Sequence, residues 1–439
     1  GTELPAIVFL GDGSSVEIGD EANAITNQFI TESTPLQSSD ILSTPYWLHE
    51  PFNTLFTVKD KTILGKAEDL PTYHYSIVVN IEGQELTIPV NVEYKWRDPS
   101  YGERRRDAIT APNFSANFDE KIAILKPGTT KNIRVQLHSF NEGIEDHITI
   151  TAPKGWTVQP SKVPVKFDKK NEKKWIDLEL TATEKAERGD LILKNEAGKE
   201  LFSYSEIAYD HIPTQVIFGK SQLNCIKIDA KIKPGKIAYI KGVEDAVPLA
   251  ISQLGFDVEV FQVSDLSNIE LNKYQSVVFG IRIYNVFPEV KNFDTKLYEY
   301  VEKGGNLIIQ YNTASRSLKG EKFGGPVPFE LSRNRVTEED AAVKFLAPKH
   351  PIMNTPNKIT QDDFNDWVQE RGLYFADNWD KAYEPLFSWH DEGEDPQKGA
   401  LIVAKHGKGQ IIYTGISFFR ELPNGVVGAY RLFANLLSY

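Results

Sequence analysis

Four short runs carry side chains able to hold a polar or anionic ligand: Gly280-Ile281-Arg282-Ile283-Tyr284-Asn285, Tyr311-Asn312-Thr313-Ala314-Ser315, Gln369-Glu370-Arg371-Gly372 and Ser417-Phe418-Phe419-Arg420-Glu421. Guanidinium groups grip carboxylates and phosphates, while amides and hydroxyls fix orientation. Arg282, Tyr284, Asn285, Tyr311, Asn312, Glu370, Arg371, Ser417, Arg420 and Glu421 are therefore the candidate ligand-pocket residues. A second reading has Arg282, Glu370, Arg371, Arg420 and Glu421 pairing among themselves and tying chain segments together, because ion-pair networks imitate sites in a sequence. This structural reading is preferred.

Residues for covalent or metal chemistry are harder to find. A nucleophile at a strand-to-helix elbow needs flanking glycines, and Ser417 has Gly415 before it but Phe419 where the second glycine belongs. Tyr311 and Asn312 end an expected strand, and neither is a usual acyl-transfer nucleophile. Cys225, the one cysteine, lies outside such a turn and reads as a buried small hydrophobe. One cysteine also excludes an intrachain disulfide and a multi-thiolate zinc site. No two of the eight histidines stand three or four residues apart, as on a metal-binding helix. His390 with Asp391, Glu392, Glu394 and Asp395, and likewise Asp362, Asp363 and Asp366, read as solvated loops. Gly11-Asp12-Gly13 lacks the third glycine of a phosphate-cradling loop. No catalytic residue, metal site or cofactor is assigned within this chain, and the rival reading is a hydrolase of unfamiliar type using Arg282, Tyr284, Asn312, Glu370 and Arg420 around a polar pocket at the carboxyl edge of the sheet.

The elements that must position the four runs belong to a change of pattern along the chain. From Ala6 to about residue 213 short alternating strands succeed one another, the pattern of β-sandwiches. The clearest hairpin sets Ile77, Val79 and Ile81 against Leu86, Ile88, Val90 and Val92 through a turn containing Gly83. Proline and charge interrupt the alternation at Tyr94-Lys95-Trp96-Arg97-Asp98-Pro99, and Arg104, Arg105 and Arg106 read as a solvated or ion-paired face. The second module has about seven strands in about 110 residues, an immunoglobulin-like count. Trp47, Trp156 and Trp175 raise sugar stacking as an alternative to packing, and packing is preferred.

After Pro213 strands alternate with helices, the signature of a parallel sheet. One helix sets Val247, Ala250, Ile251 and Leu254 on a stripe and stops at Gly255; another sets Phe293, Leu297, Tyr300 and Val301 on its stripe before Gly304-Gly305. A long, less regular insertion separates Asn312 from Lys398. The expected architecture is two immunoglobulin-like sandwiches, 1–97 and 98–213, followed by a doubly wound, flavodoxin-like α/β domain over 214–439. In such a sheet ligands bind beyond the carboxyl ends of the strands, where the four runs fall.

The composition sets bounds on partners. Hydrophobic residues at 41% and charged residues at 25% are values of folded chains, and 439 residues suit three domains. Acidic residues outnumber basic ones by 61 to 49, for a net charge of −12, which argues against a nucleic-acid or anionic-membrane surface. No apolar run is long enough to span a membrane. The chain opens Gly1-Thr2-Glu3, and the expectation is that a preceding portion carries a signal peptide and a catalytic domain.

Longer strings carry a family resemblance: Pro45-Tyr46-Trp47-Leu48, Phe56-Thr57-Val58, Tyr94-Lys95-Trp96-Arg97-Asp98-Pro99, Tyr209-Asp210-His211-Ile212-Pro213, Trp367-Val368-Gln369-Glu370-Arg371-Gly372-Leu373-Tyr374-Phe375 and Phe418-Phe419-Arg420-Glu421-Leu422-Pro423. With these the chain resembles the C-terminal region of bacterial PIG-L/LmbE-type deacetylase-family proteins. The middle module, with Ala152-Pro153-Lys154-Gly155-Trp156-Thr157-Val158, resembles a sandwich domain attached to alpha-galactosidases, and the last domain resembles class I glutamine amidotransferases. The zinc-deacetylase strings His-Pro-Asp-Asp-Glu and His-x-x-His do not occur here, nor does an elbow cysteine. The resemblance therefore implies an accessory role beside an N-terminal deacetylase domain of the same precursor acting on N-acetylated sugars. It further implies a glycan as partner and a bacterial, periplasmic or extracellular setting.

Overall fold

The computed structural model describes residues 42–50, 55–69, 74–81, 84–91 and 93–439 except 319, together with strands at 6–9 and 15–18. β1 (Ala6–Phe9), β2 (Ser15–Ile18), β3 (His74–Ile81) and β4 (Gln84–Asn91) form an antiparallel sheet in the order β2-β1-β3-β4. The hairpin expected from the alternation is the β3–β4 pair, with Ile77 opposite Ile88 and Val79 opposite Leu86. Its turn at Gly83 lies outside the described residues.

The junction expected between 97 and 98 is a hairpin. β5 (Glu93–Asp98) and β6 (Gly102–Asp107) pair along their whole length, and Pro99 sits in the turn between them, where a missing N–H costs no ladder bond. The arginines of β6 are ion-paired as expected: Arg104 with Asp210 at 3.3 Å, Arg105 with Glu103 at 2.6 Å and Arg106 with Glu206 at 4.0 Å.

A β-sandwich follows. β7 (Phe114–Phe118), β9 (Thr130–Ser139), β11 (Trp156–Gln159) and β13 (Lys173–Ala182) form one sheet, in the order β11-β13-β9-β7. The facing sheet contains β8 (Ile122–Leu125), β10 (Ile144–Thr151), β12 (Lys162–Phe167), β14 (Gly189–Lys194) and β17 (Gln222–Lys227). Alternate residues of both, among them Ile133, Val135, Leu178, Leu180, Leu191 and Leu193, fill the core between them. β15 (Phe202–Ile207) and β16 (Gln215–Lys220) make a separate hairpin.

Pro213 does not end the sandwich. β17 lies beyond it, antiparallel to β14 and parallel to β8. The two strands have apolar residues on both faces: Ala123, Leu125, Leu223 and Cys225 enter the sandwich core, while Ile122, Ile124, Ile226 and Ile228 enter the core of the following sheet. Double burial gives near-continuous apolar runs such as Ile122–Leu125, which carry no alternation to mark which side belongs to which unit.

The last unit is built on β18 (Lys236–Ile240), β19 (Asp257–Phe261), β20 (Ser276–Phe279) and β21 (Asn306–Gln310), with the helices α1 (Val247–Gln253), α2 (Ile283–Val286) and α3 (Asp294–Glu302) between them. In the following stretch β22 (Glu330–Leu331), β23 (Arg335–Val336) and β24 (Lys344–Phe345) pair with β26 (Ala376–Asp377), β25 (Gly372–Leu373) and β28 (Phe387–Ser388). β27 (Tyr383–Pro385), β29 (Leu401–His406), β30 (Gly409–Thr414), α4 (Phe418–Glu421) and α5 (Val427–Ser438) complete the chain. The seven-stranded sheet has the order β19-β18-β20-β21-β30-β29-β27, parallel from β19 to β30 and antiparallel thereafter.

Its side chains alternate between two cores. Tyr239, Val278, Ile308 and Ile412 pack with α1 and α5, whereas Ala238, Phe279, Ile309 and Tyr413 pack with α3. The stripe Val247, Ala250, Ile251 and Leu254 is buried, as are Leu297, Tyr300 and Val301. At the start of α5 a Cβ on Gly428 would lie 1.7 Å from the carbonyl of Asp363, so only glycine lets the helix seat against the insertion. The whole is β-rich and multidomain.

Candidate functional site

The four runs converge beyond the carboxyl ends of β20, β21 and β30, and they do so by bonding to one another. The N–H of Arg282 donates to the carbonyl of Tyr311 at 2.8 Å, and the N–H of Tyr284 donates to Asn312 Oδ1 at 2.9 Å. Asn285 exchanges two bonds with Thr313, its Nδ2 donating to the carbonyl and its Oδ1 accepting from the N–H, both at 2.9 Å. Asn312 Nδ2 donates to the carbonyl of Gln310 at 2.8 Å. The amides thus act as fixed braces between two strand ends.

The carboxylates and arginines are likewise engaged. Glu370 Oε1 accepts from Ser417 Oγ at 2.9 Å and from Arg420 Nε at 2.7 Å, and Arg420 Nη1 donates to Gln369 Oε1 at 2.8 Å. Glu421 Oε2 accepts the N–H of Val368 at 3.0 Å. Its Oε1 is buried without a hydrogen-bond partner, and burial pushes the carboxyl up to about 8, opposed by the Val368 N–H and the nearby guanidinium of Arg371. Arg371 is 3% exposed, donating from Nη1 to the carbonyl of Phe364 and from Nε and Nη2 to that of Ala341. Its guanidinium also lies over the rings of Phe364, Trp367 and Trp389, and burial brings its pKa down to about 10.

Half-buried aromatic rings join the two pairs of runs. Tyr311 stacks on Phe419 at 5.1 Å between centroids, Tyr374 lies 5.5 Å from Tyr311, and the guanidinium of Arg420 covers Phe419 at 5.0 Å. Tyr284 is buried against Phe279 and Phe323. Of the ten candidates, Arg282 alone sends an exposed charged group outward with no side-chain partner among the described residues. It holds left-handed backbone, φ 58°, as do Gln369 at 69° and Tyr374 at 53° in the same constellation. Non-glycine residues in this region store local strain that the surrounding bonds must hold.

At the point where the strand order reverses, between β18 and β20, open sheets leave a ligand crevice. Here it is closed. The N–H of Val243 donates to the carbonyl of Ile281 at 3.1 Å, and a Cβ on Gly242 would lie 2.1 Å from that same oxygen. Beneath it runs a buried polar line absent from the candidate residues: Tyr239 Oη donates to Asp245 Oδ2 at 2.7 Å, and Gln310 Nε2 donates to Tyr239 Oη at 3.3 Å. Burial raises the Asp245 carboxyl. The sequence signal was a tyrosine and a glutamine inside two apolar strands.

In each of the two loops expected to be solvated one carboxylate is buried, while His390, Glu392, Glu394, Asp395, Asp362 and Asp366 are exposed as expected. Asp391 accepts from Thr337 N, Thr337 Oγ1 and Glu338 N, and Asp363 accepts from Thr360 N and Arg431 Nε. Both are buried because a turn carboxylate that caps amides need not face water. Cys225 is fully buried, and burial pushes its thiol up to about 12. Trp156 is in the sandwich core with Nε1 donating to the carbonyl of Glu187, whereas Trp175 is exposed and has Arg134 over its ring at 4.3 Å.

No family model matches the chain, and no curated protein matches it. Among solved structures, the native conformation of E. coli alpha-2-macroglobulin has 12% sequence identity and a TM-score of 0.18 to it, over 34% of this chain and 10% of that one. The chain thus spans about a tenth of that structure.

Proposed function

We propose that this chain is a non-catalytic accessory and binding region of a PIG-L/LmbE-type deacetylase-family protein. On this reading its last unit is a doubly wound, flavodoxin-like domain with the outline of a class I glutamine amidotransferase and without that chemistry. The strand order β19-β18-β20-β21 and the helices on both faces support the fold part of the reading. One observation carries the functional part: the hydroxyl nearest an elbow, Ser417 Oγ, is fully buried and donates a hydrogen bond to a carboxylate that also holds Arg420. A nucleophile needs an open face toward the substrate, and a hydroxyl with no exposed surface has none. Tyr311 and Asn312, at the end of β21, are spent on stacking and on backbone bonds.

The test compares this chain with the intact precursor on N-acetylated sugars, reading acetate release. The expected result is turnover by the precursor and none by the chain alone. Turnover by the isolated chain, or a covalent adduct of a hydroxyl-directed probe at Ser417, refutes the reading.

A further inference from the structure

A ligand-sized cavity has no residue of the four runs in its lining. It has a volume of about 470 Å³ and opens where the β5–β6 hairpin meets segments 42–49, 63–69 and 213–216. Ligand pockets of roughly 300–1,000 Å³ favour such junctions between units. Pro45, Tyr46 and Val216 supply buried apolar wall, with Ile63 and Ile109 half-buried beside them. Hydrogen bonds to backbone carbonyls brace the walls: Ser43 N donates to that of Thr110 at 3.0 Å, and Tyr46 Oη donates to that of Lys66 at 2.9 Å.

The charges around it do not balance. Both lining arginines are already matched, Arg105 by Glu103 at 2.6 Å and Glu93 at 3.5 Å, and Arg106 by Glu206 at 4.0 Å with the ring of Tyr94 beneath it. Glu68 and Asp107 have no cationic partner among the described residues. Asp69 takes the N–H of Tyr46 at 2.7 Å on Oδ1 and has only the exposed His49 as a nearby titratable cation. Asp107 also stands directly opposite Glu93 in the hairpin register, a like-charge pairing that opposes the hairpin. Burial raises the carboxyls of Asp69 and Asp107, and Glu93 raises Asp107 further. Among the described residues no three ligating side chains are grouped closely enough for one metal ion.

We propose that this cavity binds a small organic cation, a primary ammonium on an apolar or ring-shaped body of amino-acid or monosaccharide size. The apolar wall takes the body of the ligand. The ammonium's three donors meet Asp107 and Asp69, and its charge offsets the Glu93–Asp107 repulsion. An anion would face the unmatched carboxylates, and a neutral ring would leave them as they are. The site is independent of the accessory role proposed above.

Calorimetric titration of the full 439-residue chain with cyclohexylamine, cyclohexanol and cyclohexanecarboxylate at neutral pH tests it. Only the amine should bind with measurable heat, and added salt should weaken it. Asp107→Asn should cost about tenfold in affinity, the loss of one charge-assisted hydrogen bond, and Glu68→Gln a smaller factor. Both side chains are solvent-accessible, so both variants should fold, and Glu270→Gln, remote from the cavity and paired with Lys273, should bind the amine as the parent does. Equal binding of the three probes, no binding of the amine, or amine binding indifferent to Asp107→Asn and Glu68→Gln each overturns the proposal.

Discussion

Glu370 and Arg420, fifty residues apart in the chain, meet at 2.7 Å, and the same carboxylate oxygen accepts a hydrogen bond from the hydroxyl of the buried Ser417. The insertion that carries Glu370 is thereby fastened to the end of β30. This is the outcome expected if the charged residues serve architecture. Arg282 and Arg371 stand apart from the ion pairs, the first facing solvent and the second donating to carbonyls.

Glu370→Ala should lower the unfolding free energy by about 2 kcal/mol. Most of that comes from the buried hydroxyl of Ser417 losing its acceptor, since Arg420 is partly exposed and its share is screened. Urea denaturation measures the loss, and amide exchange should quicken in 368–374 ahead of the rest. An unchanged midpoint would mean the fastening carries no stability.

Glu421 predicts a pH dependence of definite sign. Its folded pKa of about 8 exceeds the ordinary 4.5, so between these values the folded chain keeps a proton that the unfolded chain has released. Its contribution to stability is then fully present below about 4.5 and falls as pH rises toward 8, each unit of displacement being worth about 1.4 kcal/mol. Glu421→Gln should remove this part of the slope. Denaturation series of both proteins from pH 5 to about 9 give the comparison, and parallel curves would refute burial as the dominant influence on this carboxyl.

Arg371→Lys is a stringent test of the planar guanidinium. A lysine cannot reproduce donations to Ala341 and Phe364 while covering Trp367 and Trp389, and the expected cost is about 2 kcal/mol with altered tryptophan emission. A thermal midpoint and emission spectrum equal to the parent's would show that charge alone suffices there.

Cys225 should resist aromatic disulfide reagents in the folded chain, because it is fully buried and its thiol is pushed up to about 12. Labelling should follow unfolding in denaturant. Rapid labelling of the native chain would place the thiol at a surface.

Much of the fold was legible because amphipathic period survives wherever one face of an element is wet. The stripe of Val247, Ala250, Ile251 and Leu254 and the alternation Ile133, Val135, Leu137 are of this kind. The boundary at 213 was not legible because β8 and β17 are covered on both faces, which erases the alternation that marks a limit. At the candidate site the residue types were readable and their mutual engagement was not. Glu370 reads alike in a sequence whether it waits for a ligand or holds Arg420, and the difference lies in a distance spanning fifty residues. Within the acidic loops two residues escaped the reading: Asp363 and Asp391 look solvated like their exposed neighbours until the amides they cap are seen.

Because Ile122 and Ile226 both press against the site of Gly425, where any side chain would collide with them, the sandwich contributes part of the floor on which the terminal helix rests. Excising either neighbour at the apparent seam would leave a greasy scar on the other. The smallest piece that can be expressed, inherited or transplanted intact is therefore the couple, and heat should dismantle it in one step.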